Sequence, residues 1–219
     1  MADTGDTTER WRESYQRVRK NLLSDSQTTN HHRLAILGVS TLARETRLLE
    51  IGTGDGNLFT TLEAEGFSQV WGLEYQPELI AGHPSKRRVV VASATHVPFS
   101  TGSMSAVIVM DVLHHLIPAQ LPLSLAEMRR VLKLGGLLFV CEPASTLFRK
   151  LMTVLLMSPL SSLSRFSRDK KIMVEEERAT LDPWLKDEHS VPERIVAGRF
   201  RLEFFKRHWL HHYGRFRAI

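Results

Sequence analysis

Two rhythms of apolar residues divide the chain. Near its start, Trp11, Tyr15, Val18 and Leu22 recur at spacings of 4, 3 and 4. That places them on one stripe of an otherwise polar helix over residues 1–25. A second helix is expected through residues 31–37, with Thr29 or Asn30 as its cap. From residue 47 the rhythm changes to short unbroken aliphatic runs, at 47–51, 70–74, 89–92, 106–110 and 137–141. Helix-like stretches such as 57–65 and 123–132 lie between them. Alternation of this kind predicts an α/β fold, with a mostly parallel sheet covered by helices on both faces.

Residues 143–192 break the alternation. An apolar segment at 147–163, interrupted by Arg149, Lys150 and Pro159, runs into a charged one at 165–178. We read this as a helical insertion. Residues 200–219 look strand-like, with Tyr213-Gly214 as the expected turn of an antiparallel hairpin at the sheet edge. One domain over residues 1–219 follows, in four parts: N-terminal capping helices (1–45), a core (46–142), a helical lid (143–190), and a helix with the hairpin (191–219).

The 219 residues suit one domain. A single cysteine, Cys141, excludes an internal disulfide framework and Cys-rich zinc modules. No run of about 20 uncharged apolar residues is present to cross a bilayer. The acidic, polar start is unlike a secretory signal, so a cytoplasmic location is expected. The formal charge is +5. Residues 191–219 hold seven basic and two acidic residues, 7 − 2 = +5, which equals the whole excess. Such a tail can meet nucleic acid or anionic lipid, or simply form a solvated face. His208, His211 and His212 cannot converge on a metal if all three lie in one strand, where only 208 and 212 share a face. No metal is expected.

The most informative stretch is Leu49-Glu50-Ile51-Gly52-Thr53-Gly54-Asp55-Gly56, an apolar strand running into G-x-G-x-G just before a helix. Closely spaced glycines permit a tight turn and remove side chains, so a ligand can lie against the backbone. The helix start adds free N–H groups and positive potential. No Gly-Lys-Ser/Thr follows, which excludes a P-loop. Glu74 ends the second run, 74 − 56 = 18 positions after the last glycine. A carboxylate about 20 residues on accepts hydrogen bonds from ribose hydroxyls in sheets of this kind. A nucleoside with a free ribose is the predicted ligand.

These residues resemble the class I S-adenosylmethionine-dependent methyltransferases, in particular the type 11 small-molecule branch. The resemblance covers about residues 30–142. It continues in Val97-Pro98-Phe99, in Asp111-Val112-Leu113-His114-His115-Leu116, and in Glu127-Met128-Arg129-Arg130-Val131-Leu132-Lys133-Leu134-Gly135-Gly136. It implies a Rossmann-like seven-stranded sheet with a reversed last strand, and S-adenosyl-L-methionine as cofactor (S-adenosyl-L-homocysteine as product). It also implies site roles. Glu50, Gly52, Thr53, Gly54 and Gly56 would surround the methionine part, Glu74 the ribose, Tyr75 the adenine face, and Ser93 and Ala94 the adenine edge. The backbone around Met110 and Asp111 would meet the methionine amino group. Ser93 stands where the family usually has Asp, and Leu134 where it has Pro.

Methyl transfer from a sulfonium needs alignment and exclusion of water more than acid–base help. A base matters only when the acceptor is protonated. His114 and His115 are the candidates, one of them expected to pack inward. Tyr15, His31 and His32 are candidate pocket covers, and Arg33 a candidate partner of the methionine carboxylate. Leu151 and Met152, with the rest of the 147–157 run, belong to a lid. That run is open to two readings: an apolar acceptor pocket or lipid-facing helix, and a helix packed into the core or a dimer interface. The expected partner is a small-molecule acceptor methylated at O, N or C. Nucleic acid is disfavoured, while peripheral membrane contact, a monomer and a homodimer stay open. The alternatives carried forward are an RNA or tRNA methyltransferase, motivated by the basic tail, and a non-catalytic nucleoside-binding module, motivated by Ser93.

Overall fold

A computed structural model describes residues 27–158 and 165–219. The predicted helix over 1–25, including Tyr15, lies outside the described residues. The first described helix, α1, covers residues 27–37. Thr29 and Asn30 therefore sit within it and do not cap it, and Asn30 is buried. Burial outweighs the cap preference of a short polar side chain.

The expected alternation follows: β1 (Leu48–Ile51), α2 (Asn57–Ala64), β2 (Val70–Glu74), α3 (Pro77–Ile80), β3 (Val89–Val91), β4 (Met104–Met110), α4 (Gln120–Val131) and β5 (Leu132–Pro143). The insertion is α5 (Leu147–Met157) and α6 (Arg165–Asp187), and the end is α7 (Val191–Ala197), β6 (Phe200–Arg207) and β7 (His211–Ala218). Seven strands form one sheet in the order β3-β2-β1-β4-β5-β7-β6. The first five are mutually parallel, and β7 is antiparallel to both β5 and β6. The predicted fold class is observed.

Strand periodicity sorts the core into two layers. Leu49, Ile51, Val107, Val109, Leu138 and Val140 pack with Leu125 and Met128 of α4 and Ile195 of α7 on one face. Leu48, Ile108, Phe139 and Cys141 pack with Leu34 and Leu37 of α1 and Phe59 and Leu62 of α2 on the other. The strand order reverses direction between β1 and β4. Open sheets of this type take their ligands at the carboxyl ends of the strands flanking such a reversal.

The hairpin corrects the sequence reading. Its turn spans residues 208–210, and Tyr213-Gly214 lies inside β7, with Gly214 opposite Val140 and Phe205. Gly214 is a packing glycine: a Cβ there would fall 2.5 Å from the Phe216 ring. His208 consequently stands in the turn while His211 and His212 lie in β7, so the premise of one strand carrying all three histidines does not hold.

Candidate active site

The bend between β1 and α2 is built from backbone. Gly52, Gly54 and Gly56 all have positive φ (78°, 54° and 90°), a region open to glycine at no steric cost. The Gly52 and Thr53 N–H groups donate to the Leu73 carbonyl at 2.7 and 3.2 Å, which ties the bend to β2. Room is as restrictive as torsion. A Cβ on Gly52 would fall 2.3 Å from Val112 Cγ2, and one on Gly56 would fall 2.6 Å from His83 Nε2. His83, missed in the sequence, is buried edge-on against Phe59, and its Nδ1 accepts the Ser85 N–H at 3.0 Å. Burial lowers its pKa.

Glu74 lies against this bend. Its Oε2 accepts the Gly54 N–H at 2.8 Å and its Oε1 accepts the Gln76 N–H at 2.9 Å. Each oxygen keeps lone-pair capacity beyond that one bond. Next to it, Tyr75 is 72% exposed, an aromatic face with no protein covering it. Glu50 and Thr53 are buried, and the Thr53 hydroxyl has no hydrogen-bond partner. Ser93 Oγ lies 2.8 Å from Thr95 Oγ1 and accepts the Thr95 N–H at 3.2 Å, forming a local turn, and Ala94 beside it is buried. The predicted cofactor residues thus gather along the carboxyl ends of β1, β2 and β3. Chemically they fit an adenosyl group: a carboxylate for vicinal hydroxyls, a bare glycine bend, and an exposed ring.

Across the strand-order reversal, Asp111 follows β4 in a left-handed conformation (φ 56°), which Asp tolerates better than most residues. Its Oδ2 accepts from Arg33 Nη1 at 2.8 Å, and its Oδ1 lies 3.2 Å from His211 Nε2. Arg33 Nη2 closes the triangle, 3.1 Å from the same histidine nitrogen. Against the upward push of the surrounding protein, Arg33 and then His211 hold the Asp111 carboxyl well below its usual range. Arg33, expected beside the methionine carboxylate, is instead committed to Asp111. His31 points elsewhere, with Nδ1 2.9 Å from Glu65.

The histidine pair divides as expected. His114 is buried, and its Nδ1 lies 2.8 Å from Glu142 Oε2. Glu142 also accepts the N–H groups of Val112 and Leu113, both at 2.8 Å. Burial pushes the His114 pKa down, but the bond to Glu142 and its charge outweigh this and raise it. His115 is exposed, with its ring centroid 4.0 Å from that of His114. Desolvation by the surrounding protein, and then the neighbouring His114, push its pKa down. At neutral pH it is an uncharged imidazole, and a weaker proton acceptor than a free one.

Glu142 was not anticipated, nor was Glu188. Glu188 is buried, accepts from Ser145 N–H at 3.2 Å and from Arg207, and lies 3.2 Å from His212 Nδ1. Trp184 stacks on His212 and donates Nε1–H to the Pro143 carbonyl at 2.9 Å. The basic tail is in part internally neutralised, since Glu203 pairs with Arg201, Arg215 and Arg217. Leu151 and Met152 are exposed on α5.

The fold and the glycine bend define a class, and comparisons agree with it. Residues 49–140 match the family model described as a methyltransferase domain. No curated protein sequence matches the chain significantly. Among solved structures, the chain is similar to a Pyrococcus horikoshii protein (19% identity, TM-score 0.67, 94% of this chain and 98% of that one). It is also similar to a TehB-like S-adenosylmethionine-dependent methyltransferase from Corynebacterium glutamicum (15%, 0.61, 94% and 97%). A third is an S-adenosylmethionine-dependent methyltransferase from Methanosarcina mazei (17%, 0.60, 81% and 94%). At these identities the structures speak for the fold. Residues 49–140 thus carry the match to a type 11 methyltransferase domain, on the fold shared with S-adenosylmethionine-dependent methyltransferases. S-adenosyl-L-methionine is the cofactor of that class.

Proposed function

We propose that the chain methylates a small, largely apolar acceptor at O, N or C, at the carboxyl edge between β1 and β4. The Glu74 carboxylate, held within the glycine bend by Gly54 and with capacity left on both oxygens, carries the cofactor half of this reading. In it, Glu74 binds the ribose hydroxyls and Tyr75 covers the adenine. Ser93 and Ala94 border its edge, while Glu50, Gly52, Thr53, Gly54 and Gly56 line the methionine part. Met110 and Asp111 close the far side, where Arg33 and His211 keep Asp111 ionised and in place. When bound, the cofactor supplies an electrophilic methyl group.

The remaining work is orientation and proton removal. His115, neutral and exposed beside the end of β4, takes the proton from a phenol-, thiol- or ammonium-type acceptor. His114 is a positioning residue: its bond to Glu142 fixes the turn that presents His115. Among the described residues Glu203 answers the hairpin arginines Arg201, Arg215 and Arg217, which weighs against a nucleic-acid acceptor on that strand pair.

The test is methyl transfer from labelled S-adenosylmethionine to a panel of amphiphilic phenols, amines and carboxylic acids, with bulk tRNA in parallel. Label entering an organic-extractable product supports the reading. Label in tRNA, or in nothing while S-adenosylhomocysteine still binds, overturns it.

A further inference from the structure

Helix α5 is oriented against expectation. On a helical projection, Leu147, Phe148, Leu151, Met152, Val154 and Leu155 share one broad side, and Arg149 lies opposite them. In a water-soluble protein the apolar side packs inward. Here no residue of α5 is buried, and Leu147, Leu151, Val154 and Leu155 are each more than half exposed. The opposite side, with Arg149 and the partly buried Leu156 and Met157, anchors the helix instead. Arg149 Nε donates to the Ala144 carbonyl at 3.0 Å, its Nη2 donates to the Leu210 carbonyl, and the Thr146 side chain caps the first turn.

The apolar side continues onto the β6–β7 turn. Trp209 is 62% exposed, and its ring meets Phe148 edge-on at 5.1 Å. An open groove of about 550 Å³ is lined by Leu147, Phe148, Trp209, Arg207 and His208. The polar border is basic. Lys150 and Lys206 are exposed, and Arg207 is exposed though paired with Glu188. A leucine-rich face bordered by Lys150, Lys206 and Arg207, with a tryptophan at its margin, has the chemistry of a helix lying in a bilayer interface. Among the described residues no helix is long and apolar enough to cross a membrane.

We infer that the exposed apolar side of α5, extended by Trp209, docks on an anionic lipid surface. The charge pattern selects this occupant: a second copy of the chain would set the same basic border against itself. The inference does not rest on methyl transfer, but it gives an apolar acceptor a route, because α5 directly follows the carboxyl end of β5.

Flotation of the full-length protein tests it, using vesicles of phosphatidylcholine alone or with about one third phosphatidylglycerol. The protein should float with the anionic vesicles, and less so as salt rises from about 50 to 500 mM. Leu151→Asp combined with Leu155→Asp should lower the bound fraction at least about tenfold. Lys150→Glu with Lys206→Glu should lower it severalfold, and circular-dichroism melting should show both variants folded. S-adenosylhomocysteine calorimetry on the same samples separates a failure here from a failure of the methyltransferase reading. The inference is overturned by absence of flotation on either vesicle, or by flotation indifferent to both variants. A dimer in solution that the double aspartate variant splits, with no vesicle binding, overturns it too.

Discussion

The glycine bend and the structure that follows β5 achieve their order by opposite means. In the bend, the atoms that matter belong to the backbone, left bare because side chains are missing, and its glycine torsions come from eight consecutive residues. Beyond β5 the order comes from buried acids that collect partners from afar. Glu142 reaches Val112, 30 positions away, and Glu188 reaches Ser145, 43 positions away. A turn made by omission depends on torsions that only glycine takes at no steric cost. A buried carboxylate needs every one of its donors in place, since an unpaired charge inside a protein costs several kcal/mol. The two regions should therefore fail differently: the bend should lose ligand while staying folded, and the acid network should lose stability.

Gly54→Val is the sharpest way to break the comparison. A branched side chain at φ 54° next to the Glu74 carboxylate should abolish S-adenosylhomocysteine binding by calorimetry, a loss of at least about 100-fold. Unchanged binding would mean the bend does not cradle the ligand. On the other side, Glu142→Ala strands the Val112 and Leu113 N–H groups and the His114 ring. It should cost about 3 kcal/mol, read as a fall of about 6–12 °C in the melting temperature. A fall below about 2 °C would deny Glu142 its organising role.

Smaller effects sharpen the same contrast. Glu74→Ala should weaken S-adenosylhomocysteine about 10- to 30-fold, the effect of losing charge-assisted bonds to hydroxyls, while the chain stays folded. Tyr75→Ala should weaken it only about fivefold, as expected of one exposed stacking face. The last test is a pH slope. His114 has a raised pKa when folded, so its contribution is fully present below the unfolded value near 6.5 and fades as pH rises through the folded value. The melting-temperature gap between the wild type and His114→Gln should shrink as pH is raised above about 6.5. A gap that widens with pH would reverse the assigned protonation.

Much of the first region was legible because its signals are short-range. The runs at 48–51, 70–74 and 89–91 and the G-x-G-x-G cluster lie within a few residues of what they form. The errors arose where a distant contact decided. Thr29 and Asn30 look like caps, but burial of Asn30 carries the helix past them. Gly214 looks like a turn, yet it serves the Phe216 ring inside β7. Arg33 gives no hint in its own neighbourhood of Asp111, 78 positions on, or of His211, 178 positions on. Glu142 and Glu188 resemble any other acids, because burial of a carboxylate has no sequence signature of its own.

By itself, the order of residues determined the alternation of strands and helices, the two-layer core and the bare bend with its acid at 74. Each follows from periodicity, glycine torsion and spacing, properties carried by neighbouring residues. Tertiary structure alone decided that Asp111 would be clamped by Arg33 and His211, that His114 would turn inward and His115 outward, and that α5 would show its leucines to the outside. Those outcomes depend on which charges meet in space once the sheet has closed, and Coulomb energy is set by separation and burial, not by position along the chain.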